Sequence, residues 1–149
     1  MAMWKEVETA APELAYAVRH CFAVRKHATL ATLRRDGGPR ISGIEVEFGD
    51  IDLHLGSMPG ALKALDLRRD PRFALHSPTI DPPAEDPSAW DGEAKIAGVA
   101  VEVSEPSSLT EPHRFRLEVR EVVLTRVVRY RLEIASWNTG RGVKVTTRD

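Results

Sequence analysis

Between Ala28 and Leu55 the chain changes to a period of two, in three runs separated by short turns. The first, Ala28-Thr-Leu-Ala-Thr-Leu-Arg34, is rich in residues that suit strands. Asp36-Gly37-Gly38-Pro39 is a turn cluster. Arg40 to Phe48 follows, with Ile44, Val46 and Phe48 on one face and Glu45 and Glu47 on the other. Gly49-Asp50 turns the chain again, and Ile51, Leu53 and Leu55 alternate with Asp52 and His54. Strands joined this closely pair as an antiparallel meander, so the fold is built on a β-sheet.

The flanking segments carry other periods. Leu14, Val18 and Phe22 recur every fourth residue, predicting a helix over Pro12 to Lys26. Thr9 is a candidate N-cap, and Pro12 is tolerated in the first turn. Gly56-Ser57-Met58-Pro59-Gly60 breaks the sheet, and Leu62 and Leu65 mark a short helix over Ala61 to Arg69, ended by Asp70-Pro71. Arg72 to His76 is a fourth strand. Pro78 to Gly92, with Pro78, Pro82, Pro83 and Pro87 among acids, is a mobile loop that Trp90 could pin. Glu93 to Ser104 is a fifth strand whose apolar register shifts around Gly98, the mark of a bulge or a close backbone approach. Leu117 to Val128 and Tyr130 to Trp137 are two more extended segments, and Val143 to Thr146 adds a last short pairing. A closed or nearly closed barrel hides so many strand edges.

The length, 149 residues, fits one domain over 1–149. The formal net charge of −1 lacks the basic excess of a nucleic-acid or anionic-membrane binder, so neither partner is expected. No apolar stretch approaches the ~18 residues of a membrane span. The single cysteine, Cys21, excludes an intrachain disulfide and a cysteine-based zinc site, and suits a reducing cytoplasm; it reads as a small buried hydrophobe. The five histidines show no paired metal spacing, and His54 and His76 converge only if their strands pair. Nucleophile-elbow, P-loop and dinucleotide fingerprints are absent.

The informative stretch is Leu55 to Arg72. A strand ends in a hydroxyl, Ser57; a glycine-containing loop follows; Lys63 sits in the first turn of the helix. A hydroxyl, free backbone N–H groups and an ammonium at a helix start make a phosphate site. The competing reading is a solvated lysine and a capping serine.

The order of an apolar helix, the Ala-Thr-Leu-Ala-Thr-Leu strand, the Asp-Gly-Gly-Pro-Arg turn and Ser-loop-Lys-Ala-x-x-Leu-x-x-Asp-Pro-Arg resembles the pyridoxamine 5′-phosphate oxidase-like, FMN-binding split barrels. Lys95-Ile-Ala-Gly98 and Trp137 match as well, so the likeness runs from about Leu14 to Trp137. It implies a mainly β fold, a six-stranded antiparallel split barrel of Greek-key type with an N-terminal helix and a short helix between strands 3 and 4. It implies FMN or, as in some small single-barrel members, the deazaflavin coenzyme F-420. The cofactor-facing positions implied are Arg40 and Ser42 on the second strand, Gly56 and Ser57 at the end of the third, and Lys63 at the phosphate. Glu93 falls near the ring, and Trp137 and Arg141 fall where the C-terminal segment reaches the neighbouring subunit's cofactor. Two positions depart from the pattern: Leu62 stands where oxidases place Arg beside the phosphate lysine, and Glu45 occupies a second-strand basic position. Arg68, Arg69 or Arg72 could supply the missing charge. No residue is singled out as catalytic.

Two functions follow as expectations. One is a flavin- or deazaflavin-dependent oxidoreductase exchanging hydride with a small molecule, since such a cofactor carries the chemistry and few acid–base residues are needed. The other is a non-enzymatic binder of flavin, haem or another planar ligand, or a chain that has lost its cofactor. A homodimer with the cofactor between subunits is expected, with Ile44, Val46, Phe48 and the valine-rich fifth strand as surplus apolar surface.

Overall fold

The computed structural model describes residues 1–104 and 108–149. Helix α1 spans Trp4–Ala10 and α2 spans Pro12–Ala23. Strands β1 (Ala28–Leu33), β2 (Pro39–Ile44), β3 (Val46–Phe48) and β4 (Leu53–Ser57) follow, then α3 (Leu62–Arg69) and β5 (Arg72–His76). A single 3-10 turn, Pro87–Ala89, precedes β6 (Glu93–Ser104), β7 (His113–Val128), β8 (Arg131–Asn138) and β9 (Gly142–Arg148). The described residues thus hold nine strands, not the six the resemblance implies.

The sheet runs β2-β1-β5-β6-β7-β4-β3, every pair antiparallel, with β8 on β7 and β9 on β8. The ladder does not close. Its two end strands, β2 and β3, are consecutive in the chain and separated by Glu45 alone. The expected single strand from Arg40 to Phe48 is therefore divided: its first half pairs with β1 and its second with β4.

Strand β7 is long enough to be shared. One edge pairs with β6 from Arg114 to Thr125. The other pairs with β4 over residues 113–117 and with β8 over 121–128. In the gap, Ala2 and Val119 exchange both backbone hydrogen bonds, at 2.8 and 2.7 Å. The extra strands arise because a 16-residue β7 outruns β4 and leaves an edge for the β8–β9 hairpin.

The core lies between the sheet and the N-terminal helices. Trp4 and Val7 of α1, with Leu14, Val18 and Cys21 of α2, are buried against Leu30, Leu53, Ile96, Phe115 and Val122. Trp4 meets Phe48 edge-on, with ring centroids 5.2 Å apart. Ile44 is buried, and Val46 and Phe48 pack on the core, so these three are not the surplus outer surface expected of them. Thr9 lies within α1, its Oγ1 donating to Lys5 O, and Ala11 is the residue that caps α2. Burial, with the Asp91 charge adding, pushes the Cys21 thiol up to about 11, so it stays a protonated core side chain at neutral pH. Trp90 Nε1 donates to Ile80 O at 2.7 Å across the proline-rich loop. Among the described residues no helix is long and apolar enough to cross a membrane.

The β6–β7 register shifts between Ala97 and Gly98, where the sequence places a bulge. The backbone of β7 comes so close there that a Cβ on Gly98 would lie 1.9 Å from the Glu118 carbonyl oxygen. A contact with backbone cannot be relieved by a rotamer change, so Gly98→Ala is expected to cost about 2–4 kcal/mol. Thermal melts should show this as a Tm lowered by roughly 5–15 °C.

Candidate functional site

Strand β4 delivers Ser57 to the mouth of a cleft of about 870 Å³, bounded by β2–β3, β4, the turn after β4 and the first turn of α3. That volume lies within the roughly 300–1,000 Å³ of small-molecule sites. Gly43, Gly56, Ser57 and Lys63 line it, with Glu45, Glu47, His54 and Arg114. Lys63 Nζ donates to Gly43 O at 2.8 Å, which holds the ammonium across the cleft. A Cβ on Gly43 would meet nothing within 4 Å, and one on Gly56 nothing closer than 3.7 Å, so the backbone is open at both positions.

Ser57 is 8% exposed, and its Oγ is buried without a hydrogen-bond partner. Ser57 alternates with the buried Leu53 and Leu55 on β4 and pairs with the buried His113, so its hydroxyl lies on the core side of the strand, behind the cleft wall. Gly56, Ser57 and Lys63 line one cleft, with the Lys63 ammonium as its charged group on this side.

The other candidates sit elsewhere. Arg40 turns to the underside of α3, where its Nε meets Asp66 Oδ2 at 2.7 Å. Asp66, 3% exposed, also accepts from Thr32 Oγ1 at 2.8 Å and Arg69 Nη2 at 2.9 Å. Burial alone would raise its carboxyl, but the three donors outweigh it and hold the group below the ordinary carboxylate range. Ser42 is half-buried opposite Leu30, on the β2 face that carries Arg40. Glu93 lies 3.4 Å from His76 Nε2. Trp137 is buried in the sheet between Val122 and Val143, and Arg141 in the β8–β9 turn donates to Ser136 Oγ at 2.9 Å. Within one chain these last three are not part of the cleft.

The spare arginines are engaged too. Arg68 grips Glu102 at 2.7 and 2.8 Å, Arg69 is on Asp66 and the Leu33 carbonyl, and Arg72 holds Asp70. Glu45 faces Lys26 and His27 at 3.5 and 3.4 Å. His54 and His76 do not converge, since β4 pairs with β3 and β7 while β5 pairs with β1 and β6. No metal-ligating cluster exists among the described residues.

Sequence reasoning missed Asp66, Arg114 and His113. Asp66 lies between the buried Ala64 and Leu67 of α3, which places it on the core side of a predicted helix. Arg114 reaches the cleft, and His113 the strand behind it, only through the β4–β7 register, which pairs Gly56 with Arg114 and Ser57 with His113. No local pattern announces that pairing.

No protein-family model and no curated protein sequence matches the chain. Solved structures do resemble it. A pyridoxamine 5′-phosphate oxidase-related, FMN-binding protein from Nostoc punctiforme superposes with a TM-score of 0.64 at 10% identity, covering 93% of this chain and 96% of that one. An F-420 reductase superposes with a TM-score of 0.54 at 12% identity, covering 70% and 94%. HutZ, a haem storage protein from Vibrio cholerae, gives 0.55 at 18% identity, covering 74% and 90%. The likeness is one of fold: the chain has the pyridoxamine 5′-phosphate oxidase-like split-barrel architecture.

The Asp66 arrangement has a measurable signature. Asp66→Asn removes the charge that three donors share, at an expected cost of about 2–3 kcal/mol at pH 7. Because the folded pKa lies below the unfolded one, the carboxylate's contribution is complete above roughly pH 4. It is lost as pH falls through the folded value. Urea unfolding of both proteins from pH 7 to pH 2.5 should show the gap between them closing at the acid end.

Proposed function

We propose that the chain is a flavin- or deazaflavin-dependent oxidoreductase acting on a small molecule, with the coenzyme in the cleft at the end of β4. The observation that carries this reading is the Lys63 ammonium held across the cleft by the Gly43 carbonyl, beside the open backbone of Gly43 and Gly56. The fold likeness to FMN-binding and F-420 reductase structures supports it.

In this reading Lys63 binds the coenzyme's phosphate, FMN's phosphomonoester or F-420's phosphodiester. The open backbone at Gly43 and Gly56 lets the ligand approach closely. The bound coenzyme would supply hydride transfer. The chain's own residues bind and orient, which accounts for the lack of a separate acid–base constellation.

A homodimer belongs to the same proposal. The outer face of β2-β1-β5-β6-β7 is a shallow apolar depression of about 400 Å³ lined by Ala31, Ile41, Ala74, Ala97 and Val123. Ile41, on the end strand β2, is 75% exposed. A second copy would cover this face and could bring Trp137 or Arg141 to a partner's cleft.

A second reading is favoured by a specific feature. Glu45 and Glu47 line the cleft, and Arg68, Arg69 and Arg72 are paired away from it. Weak positive potential suits a non-enzymatic holder of a planar ligand, flavin or haem, bound more by shape than by charge.

Titration separates these readings. FMN, coenzyme F-420 and haem are titrated against wild type, Lys63→Ala and Ser57→Ala, with thermal melts in parallel. The expected loss is about ten- to a hundredfold for Lys63→Ala, from a charge-assisted bond, and little or none for Ser57→Ala, whose hydroxyl lies behind the cleft wall. Unchanged affinity in Lys63→Ala for a coenzyme that wild type binds removes Lys63 from the site. Binding of haem alone favours the second reading. For the dimer, light scattering should give twice the 16.5 kDa chain mass, and Ile41→Asp should shift the particle towards the monomer.

A further inference from the structure

The turn that carries Ser57 to Lys63 is tied to the barrel by a buried histidine. The Gly60 N–H donates to His113 Nε2 at 3.1 Å. Gly60 has φ of +69°, a left-handed conformation that suits glycine, so the turn follows a defined path. His113 is 4% exposed and lies opposite Ser57 in the β4–β7 register. On the ring's other side, Nδ1 is 3.4 Å from Glu102 Oε1. Glu102 is itself gripped by both Arg68 contacts.

A backbone N–H can only donate. Nε2 must therefore be the unprotonated, accepting nitrogen, and Nδ1 carries the proton towards Glu102. We propose that His113 is a positioning residue for the cleft: as a neutral imidazole it holds the Ser57–Lys63 turn through Gly60, and its protonation releases that turn and weakens ligand binding. This rests on the reading of the cleft as a ligand site.

The step is a simple proton gain. A proton from solvent takes the Nε2 lone pair, and a second donor then faces the Gly60 N–H. Among the described residues, the charged groups in contact around the ring are Glu102 from β6 and, through it, Arg68 from α3. The Arg68 guanidinium holds Glu102 below the ordinary carboxylate range, against burial, with His113 adding to the effect. Glu102 is thus ionised and can accept from the ring in either of its states. Strand β4 presents the Ser57 hydroxyl, and the turn presents only the Gly60 amide. Arg114, next along β7, lies on the strand's other face and lines the cleft.

Linkage fixes the direction. A ligand that needs the turn in place favours neutral His113, so protonation of the ring lowers its affinity. The loss of one hydrogen bond from the turn corresponds to about a two- to tenfold weakening.

The experiment has a ligand-free arm and a binding arm. NMR of the uncomplexed chain from about pH 8 to pH 5.5 follows the His113 ring nitrogens and the Gly60 amide. FMN and coenzyme F-420 affinities are measured over the same range for wild type, His113→Gln and His113→Leu. The expected result is that the Gly60 amide and the ring titrate together and wild-type affinity falls two- to tenfold. His113→Gln, which keeps an acceptor without a titrating proton, should bind without that pH dependence, while His113→Leu should bind weakly at every pH. A Gly60 amide indifferent to the ring's titration, or a His113→Gln profile that follows wild type, overturns the inference. Binding of neither coenzyme at any pH overturns the reading of function instead, and the Gly60 amide still decides whether the tether exists.

Discussion

The buried carboxylate of Asp66 decides where α3 sits, and the candidate site depends on that placement. It draws Thr32 from β1, Arg40 from β2 and Arg69 from its own helix onto two oxygens. An ionised group this deep is tolerated only when its oxygens are satisfied, so the three donors and the helix position imply one another. With α3 fixed over β1 and β2, Lys63 reaches the Gly43 carbonyl, and the cleft acquires its far wall. A second tie acts at the same helix's other flank, where Arg68 holds Glu102 and Glu102 faces His113. The cleft is thus framed by two polar networks that begin on one short helix.

The sheet sets the other boundary. Because β7 pairs with β6 from Arg114 to Thr125 and divides its other edge between β4 and β8, the barrel wall and the C-terminal hairpin share a strand. The bulge at Gly98 makes the two long strands fit, with backbone in such close approach that no side chain is admitted. The division at Glu45 does the same on the opposite side. It lets one continuous chain serve as both ends of the sheet, which brings β2 and β4 to the two sides of the cleft.

A strand with a clean period of two was legible in the sequence, as β5 over Arg72–His76 illustrates, and β6 over Glu93–Ser104 was legible despite the shift at Gly98. Helix α1 was not, because Trp4 and Val7 are only two apolar residues and Lys5, Glu6 and Glu8 surround them; their burial is a tertiary fact. The site shows the same limit. Gly56, Ser57 and Lys63 are close in sequence, so a strand–turn–helix reading suffices to unite them. Arg40 reads equally well as an anion ligand, yet the structure commits it to Asp66, 26 residues away. Which partner a charged side chain takes depends on long-range register, and one sequence without that register leaves it open.

That limit also bears on the electrostatics. The chain has an ample stock of arginine, but much of it is neutralised pairwise: Arg40 with Asp66, Arg68 with Glu102, Arg72 with Asp70, Arg116 with Glu118 and Arg126 with Glu133. Several of these pairs are solvent-exposed and add little stability, yet each withdraws a cation from ligand binding. The cleft is left with Lys63 and Arg114 against Glu45 and Glu47. A wall of mixed sign attracts a dianion weakly over distance, since the fields of the two signs largely cancel beyond a Debye length. On the proposed reading, selectivity comes from contact: the ammonium held in place by Gly43 and the backbone left open by two glycines. Those are short-range, directional terms that act only when the turn between them is in position, so on that reading the packing beneath α3 and the His113 contact matter as much as the residues that line the cleft.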